Sequence, residues 1–158
     1  MHAIKPDIDR SGGLATFASR TALADFISWP DITADRDMTL ADVADLFHRH
    51  DINHLPVVDD DMRPIGVVSS TDIGRITTWR AFFQPSQHAR YREGLLQALL
   101  VRDILTDKPV STLTEADTVA DAAKLINERK FHCVPVTTVD GVIAGIVTAH
   151  DLLRAAYG

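Results

Sequence analysis

The 158-residue chain has one cysteine, Cys133, so it can close no internal disulfide. It has no apolar run long enough to cross a membrane as a helix, and no membrane partner is expected. It is short of positive charge: 16 Lys and Arg stand against 22 Asp and Glu, a net charge of −6 with histidines neutral. A sequence-independent grip on nucleic acid needs the opposite balance, so no nucleic-acid partner is expected either. The opening residues, Met1 to Gly13, are polar and lack the apolar core of a signal peptide, which makes a cytoplasmic location the expectation. There is no Gly-rich phosphate loop with its lysine, and no G-x-S-x-G elbow surrounds Ser69 or Ser70. No nucleophile and base can be paired in the usual way, so catalysis is not expected. Nor do the histidines and acids fall at zinc-ligand spacing, and no metal site is expected.

What is present is repetition. Leu55 to Asp72 reads LPVVDDDMRPIGVVSSTD, and Val134 to Asp151 reads VPVTTVDGVIAGIVTAHD. A shift of 79 aligns Thr39 with Thr118, Asp42 with Asp121, Pro56 with Pro135, Gly66 with Gly145 and Asp72 with Asp151, without a gap. A fixed-period match of this kind marks two copies of one supersecondary unit. Apolar residues make up 46 % and charged residues 24 %, ordinary for a globular chain, but each copy alone is too small to bury much surface. The copies are therefore expected to pair, with a cleft between them. The expected division is a loose tail over 1–13, repeat one over 14–76, a helical linker over 77–98 and repeat two over 99–158.

Within a repeat the periodicities name the elements. Leu14 to Ile27 is expected to be helical, with Pro30 ending it. Ile32 and Thr33 suit a short strand. Leu40, Val43, Ala44 and Phe47 lie at the spacing of a buried helical stripe, and Val119, Ala122, Ala123 and Ile126 repeat it. Thr39 and Thr118 precede those stripes as N-caps, each with Asp three residues on. His54 to Val58 and Pro64 to Ser69 read as a hairpin, as do Cys133 to Thr138 and Val142 to Thr148, the latter turning at Asp140-Gly141. The Asp59 to Asp61 triplet reads as a solvated turn, since no further oxygen ligands stand near it in sequence. Each hairpin feeds a helix. The unit is thus strand, helix, strand, strand, helix, an α+β arrangement related to its copy by a pseudo-two-fold axis. In the linker, Pro85-Ser86 breaks one helix and starts another. The aromatic cluster Trp79, Phe82, Phe83 and Tyr91 there reads as core or self-association surface.

The chemistry gathers where hairpin meets helix, at Ser69 to Asp72 and Thr148 to Asp151. One reading is a capping box alone. The other uses the same geometry for a ligand: a helix N-terminus accepts phosphate, and a carboxylate there accepts hydrogen bonds from a ribose diol. Gly66 and Gly145, three residues upstream of the hydroxyls, would allow close approach to the strand. Ile32, Val110, Leu55 and Val134 are candidates to flank a flat base. His54 and His132 stand open between satisfied core groups and ligand contacts. His48 and His50 sit near a negative helix end and read as surface. Cys133, inside an apolar strand, reads as packing.

The duplicated frame, apolar-Pro-Val, a hairpin, then Gly-apolar-Val-[Ser/Thr]-x-x-Asp, resembles a pair of CBS domains (after cystathionine β-synthase), a Bateman module. Asp25-Phe26-Ile27 and Asp103-Ile104-Leu105 resemble the opening signatures of that family. The resemblance spans about Ala22 to Ala156. It implies an adenosine-containing ligand between the repeats: AMP, ADP, ATP, or in some members NAD or S-adenosylmethionine. It places the ribose carboxylate on Asp72 and Asp151, and the hydroxyl contact on Ser69 and Thr148. Nucleotide binders of the family often carry a basic pair before apolar-Pro-Val; here those positions hold Asn53-His54 and His132-Cys133. His150 adds a cation beside Asp151 where Thr71 adds none beside Asp72, so the Asp151 site is expected to be the better one. The resemblance further implies a homodimer and a separate regulated protein, with no required cofactor. The rival expectation is a ligand-free dimeric interaction module in which both motifs only cap helices.

Overall fold

The computed structural model describes residues 13–27, 32–81, 88–106 and 109–157. Most of the expected tail, Pro30, the Pro85-Ser86 break and the side chains of Trp79, Phe82, Phe83 and Tyr91 lie outside the described residues. The fold is α+β. In chain order the helices are α1 (Gly13–Arg20), α2 (Leu23–Phe26), α3 (Leu40–His50), α4 (Ser70–Ala81), α5 (His88–Ala98), α6 (Val119–Arg129) and α7 (Ala149–Tyr157). The strands are β1 (His54–Val58), β2 (Pro64–Ser69), β3 (Leu113–Thr114), β4 (Cys133–Thr137) and β5 (Ile143–Thr148). By packing the chain divides into two units. One joins residues 32–60 and 65–110; the other joins 1–31, 61–64 and 111–158. They are named below by their hairpins, β1–β2 and β4–β5.

In the β1–β2 unit the predicted stripe is buried. Leu40, Val43 and Phe47 of α3 pack with Leu55, Val57, Val68 and Ile73, and with Leu96 and Val101 from farther along the chain. Thr39 caps α3: the Asp42 N–H donates to Thr39 Oγ1 at 3.1 Å, and the hydroxyl donates to Asp42 Oδ2 at 2.7 Å. The helix stops at Asp51, whose φ of 51° is left-handed and whose N–H returns to Phe47 O. The strand expected at Ile32 and Thr33 is reduced to a parallel bridge of Ala34 with Val57. Ala34 N–H donates to Pro56 O and Val58 N–H to Ala34 O, each at 2.9 Å.

The β4–β5 unit carries a three-stranded sheet in the order β3-β4-β5. Leu113 lies beside Val136 in the parallel pair, and Cys133 lies opposite Thr148 in the antiparallel one. The turn between β4 and β5 is built as the Asp-Gly signal foretells. Gly141 sits at φ 82°, and Thr138 N–H donates to Val142 O at 2.8 Å. The first hairpin lacks a glycine there and places Met62 at φ 59° instead. Thr118 caps α6 with a reciprocal box, its hydroxyl receiving Asp121 N–H at 3.2 Å while its own N–H reaches Asp121 Oδ2 at 2.9 Å. The Thr118 hydroxyl also donates to Asp121 Oδ2 at 2.7 Å, and that bond first, with the backbone N–H second, holds the Asp121 carboxyl below its ordinary range.

The helix expected over Leu14 to Ile27 is broken in two at Thr21-Ala22. The backbone there is engaged elsewhere: Ala22 bridges Thr118, Val119 N–H donates to Thr21 O at 3.0 Å, and Leu23 N–H donates to Asp117 O at 2.7 Å. A peptide group pairing sideways does not continue a helix. Phe17, Leu23 and Phe26 are then buried with Val119, Ala122, Ile126, Val134, Val136 and Val147. So Asp25-Phe26-Ile27 packs in the unit built on the second hairpin. Asp103-Ile104-Leu105 packs in the unit built on the first, tied there by Leu40 N–H to Leu99 O and Val101 N–H to Met38 O, both at 2.9 Å. Repetition along the sequence and grouping by packing are different divisions of this chain.

Leu23 tests that exchange, because it is fully buried in the β4–β5 core. Leu23→Ala is expected to lower the unfolding free energy by about 2–5 kcal/mol in urea denaturation followed by circular dichroism. A loss under about 1 kcal/mol would mean the opening helices are not part of that core.

Candidate functional site

Each hairpin runs into its helix with no residue between. β2 ends at Ser69 and α4 begins at Ser70; β5 ends at Thr148 and α7 begins at Ala149. The last strand residue therefore becomes the helix cap. At the first junction Ser69 N–H and Ser69 Oγ–H both donate to Asp72 Oδ2, at 2.9 and 2.6 Å, and Asp72 N–H donates to Ser69 Oγ at 3.2 Å. At the second, Thr148 N–H and Oγ1–H donate to Asp151 Oδ2 at 2.9 and 2.6 Å, and Asp151 N–H donates to Thr148 Oγ1 at 3.1 Å. The two boxes agree bond for bond.

Both boxes use a single carboxylate oxygen. Among the described residues Asp72 Oδ1 has no hydrogen bond or ion pair. Asp151 Oδ1 has only the Arg154 guanidinium, whose Nη2 stands at 3.9 Å. Neither carboxylate is fully buried; the Asp151 side chain is 14 % exposed. A partly buried carboxylate with one oxygen engaged and one open can accept hydrogen bonds from a polyol. The partial positive charge at the N-terminus of α4 or α7 would add attraction for an anion.

The residues before each apolar-Pro-Val run are brought to the junctions by backbone bonds. Ser70 N–H donates to Asn53 O at 3.0 Å, and Ala149 N–H donates to His132 O at 3.1 Å. Ser70 Oγ also donates to Asn53 Oδ1 at 3.2 Å. His132 is exposed and His54 half-buried. Cys133 is buried, opposite Thr148. Its thiol is pushed up to about 12 from an ordinary 9.0, first by burial and second by the Asp151 charge.

The remaining sequence candidates divide by unit. Ile32, His54, Leu55, Ser69, Asp72 and Val110 lie in the β1–β2 unit; His132, Val134, Thr148, His150 and Asp151 lie in the β4–β5 unit. Ile32 and Val110 are half-buried, and His150 is exposed. Leu55 and Val134 are fully buried in their respective cores, so here their side chains pack and present no surface. The space over Gly66 is taken as well. A Cβ there would meet Leu105 Cδ2 at 2.6 Å, so that glycine admits a side chain of the exchanged segment. Sequence reasoning missed Arg75 and Arg154, which continue the motif as Asp-x-x-Arg in both copies. The signal was the same shift of 79.

The model of the CBS domain family matches residues 23–76 and 101–158. Over 143 residues the chain is 28 % identical to an L-aspartate semialdehyde sulfurtransferase of Methanocaldococcus jannaschii, with 87 % of this chain and 24 % of that protein covered. It is 29 % identical over 136 residues to the chloroplastic CBS domain-containing protein CBSX1 of Arabidopsis thaliana, covering 75 % of this chain and 56 % of the relative. The chain thus spans about a quarter of one and about half of the other. Among solved structures, the CBS domain of a CBS domain-containing membrane protein from Sphaerobacter thermophilus superposes with a TM-score of 0.73 at 27 % identity, covering 89 % of this chain and 91 % of that one. CBSX2 in complex with AMP gives 0.66 at 26 % identity, with 86 % and 96 % covered. The CBS domain pair of a protein in complex with 5'-methylthioadenosine and S-adenosyl-L-methionine gives 0.66 at 28 % identity, with 85 % and 94 % covered. Among the described residues no helix is long and apolar enough to cross a membrane.

The buried thiol beside the second junction gives a direct check. A chromogenic disulfide reagent at neutral pH is expected to leave the native protein unlabelled and to titrate one thiol once the chain is unfolded. The raised thiol contributes stability in full below pH 9.0, and this is lost progressively as pH rises toward about 12, because the unfolded chain ionises first. Rapid native labelling would place Cys133 at the surface.

Proposed function

This chain belongs to the CBS-domain family, and from that premise we propose that it is a regulatory module whose strand–helix junctions bind an adenosine-containing ligand. The ligand is an adenine nucleotide, AMP, ADP or ATP, or one of the related adenosyl molecules NAD and S-adenosylmethionine. The observation that carries the reading is the open second oxygen on Asp72 and Asp151, held beside a helix N-terminus while the first oxygen completes the cap. A ribose diol donates to the open oxygen, and Ser69 and Thr148 hold the carboxylate in place for it. Structures of related CBS pairs hold AMP in one case and 5'-methylthioadenosine with S-adenosyl-L-methionine in another, which supports an adenosyl ligand here. Ligand binding regulates only by differing between states, so the ligand favours one arrangement of the module over another. That arrangement is read by a separate partner protein. The module works as a cytoplasmic homodimer and performs no catalysis of its own.

A second reading is a ligand-free interaction module. The completed capping boxes favour it, because each motif already has a sufficient structural role.

Isothermal calorimetry with AMP, ATP, NAD and S-adenosylmethionine separates the two. Wild type is expected to bind at least one of them. Asp72→Ala and Asp151→Ala, checked by thermal melts because losing the carboxylate also costs about 1 kcal/mol of cap, are each expected to weaken binding at their own junction by about tenfold or more. Heats unchanged in both variants would leave only the capping role.

A further inference from the structure

We propose that Arg154 makes the Asp151 junction selective for an adenosyl ligand bearing a phosphate, and that the Asp72 junction lacks this selectivity. The inference rests on the adenosyl reading of the junctions and extends it to ligand charge. The sequence supplies the problem. A carboxylate that holds a ribose repels a phosphate attached to the same sugar, and the upstream positions that would offset it hold His132 and Cys133. His132 is exposed, and Cys133 is buried with its thiol pushed up to about 12. One side chain stands in solvent and the other carries no positive charge in any form, so neither holds a cation against the junction.

Arg154 does. It stands three residues after Asp151 on α7, so the two side chains share a helix face. Its side chain is 34 % exposed, against 63 % for Arg49 and 56 % for Arg102, which pair with acids at the surface. Its Nη2 is 3.9 Å from Asp151 Oδ1, too far for a closed hydrogen bond, so the guanidinium stands beside Asp151 as a counter-charge without being used up by it. Its Nε is buried and meets no acceptor among the described residues. A buried donor without an acceptor is costly and leaves the side chain incompletely satisfied; Nε itself is closed to a ligand, so an anion would be met by the terminal nitrogens of the 34 % exposed side chain. The guanidinium fork suits phosphate, which it can engage through two parallel hydrogen bonds. The counterpart at the first junction, Arg75, is exposed, and among the described residues no ion pair joins it to Asp72.

The test compares AMP with adenosine, which share the ribose and base and differ in the phosphate. Calorimetry on the full chain measures both affinities in wild type, Arg154→Gln, Arg154→Lys and Arg75→Gln. Wild type is expected to favour AMP. In Arg154→Gln the AMP affinity falls by about tenfold or more and adenosine falls less, so the preference collapses; Arg154→Lys restores part of it, and Arg75→Gln keeps the wild-type ratio. Melting temperatures of the variants distinguish a lost contact from lost folding. A wild-type ratio retained in Arg154→Gln overturns the role of Arg154 while leaving the adenosyl reading intact. An equal drop in Arg75→Gln overturns the assignment to the second junction. If wild type binds neither compound, the adenosyl reading fails and this inference fails with it.

Discussion

At the start of α4 and of α7 a hydroxyl and a carboxylate three residues apart hold each other, and the rest of the chain is arranged to keep them there. The bond set is short and local. It takes the last residue of a strand and makes it the first cap of a helix. That leaves no slack between sheet and helix, so the carboxylate is fixed by two elements at once. The carboxylate has more acceptor capacity than the cap consumes. A capping role therefore does not exhaust the side chain: the cap takes Oδ2, and among the described residues Oδ1 makes no hydrogen bond. The usual opposition between helix cap and ligand contact dissolves at the level of single atoms.

Holding such a junction needs a firm core beneath it, and neither repeat makes one from its own residues alone. Strand alternation and one helical stripe leave an apolar surface that must be covered. Leu96 and Val101 help to cover it in the β1–β2 unit, and Phe17, Leu23 and Phe26 do so in the β4–β5 unit. Phe17, Leu23 and Phe26 sit in sequence with the other repeat, as does Val101, while Leu96 comes from the linker. Small units with little core per residue gain most from such borrowing. It also accounts for Gly66, where Leu105 lies so close that any Cβ would force it to move.

Much of this was written in the sequence where a periodic signal was doubled. Thr39 and Thr118 cap as expected, because a hydroxyl before a helical stripe has one good partner, the N–H three residues on. The strand and hairpin boundaries followed for the same reason. The misses are non-local. Nothing near Thr21 shows that its carbonyl will accept from Val119, so one helix was expected where two short ones form. Leu55 and Val134 look like any apolar residues beside a motif, and only packing shows that they are wholly inside. Arg154 carries no local signal of its own: one arginine a helical turn after a cap reads as any solvated basic residue until its burial is seen.

The two junctions share their hydrogen bonds but not their electrostatics. Around Asp151 the strand neighbour is a buried thiol whose pKa is pushed up to about 12, and the helix neighbour is a half-buried guanidinium. Around Asp72 the strand position carries a half-buried imidazole, and the corresponding arginine is exposed. A charge that is partly shielded from solvent acts more strongly than one that is screened. Matching hydrogen bonds thus present one carboxylate with an ion-paired arginine and another that, among the described residues, forms no ion pair with its own. Duplication supplied two copies of a cap; a different residue at the strand position, His54 against Cys133, and a different exposure of the shared arginine make their surroundings chemically unequal. Where a repeat protein keeps its bonds and changes its charges, its sites can differ in what they accept while remaining the same in shape.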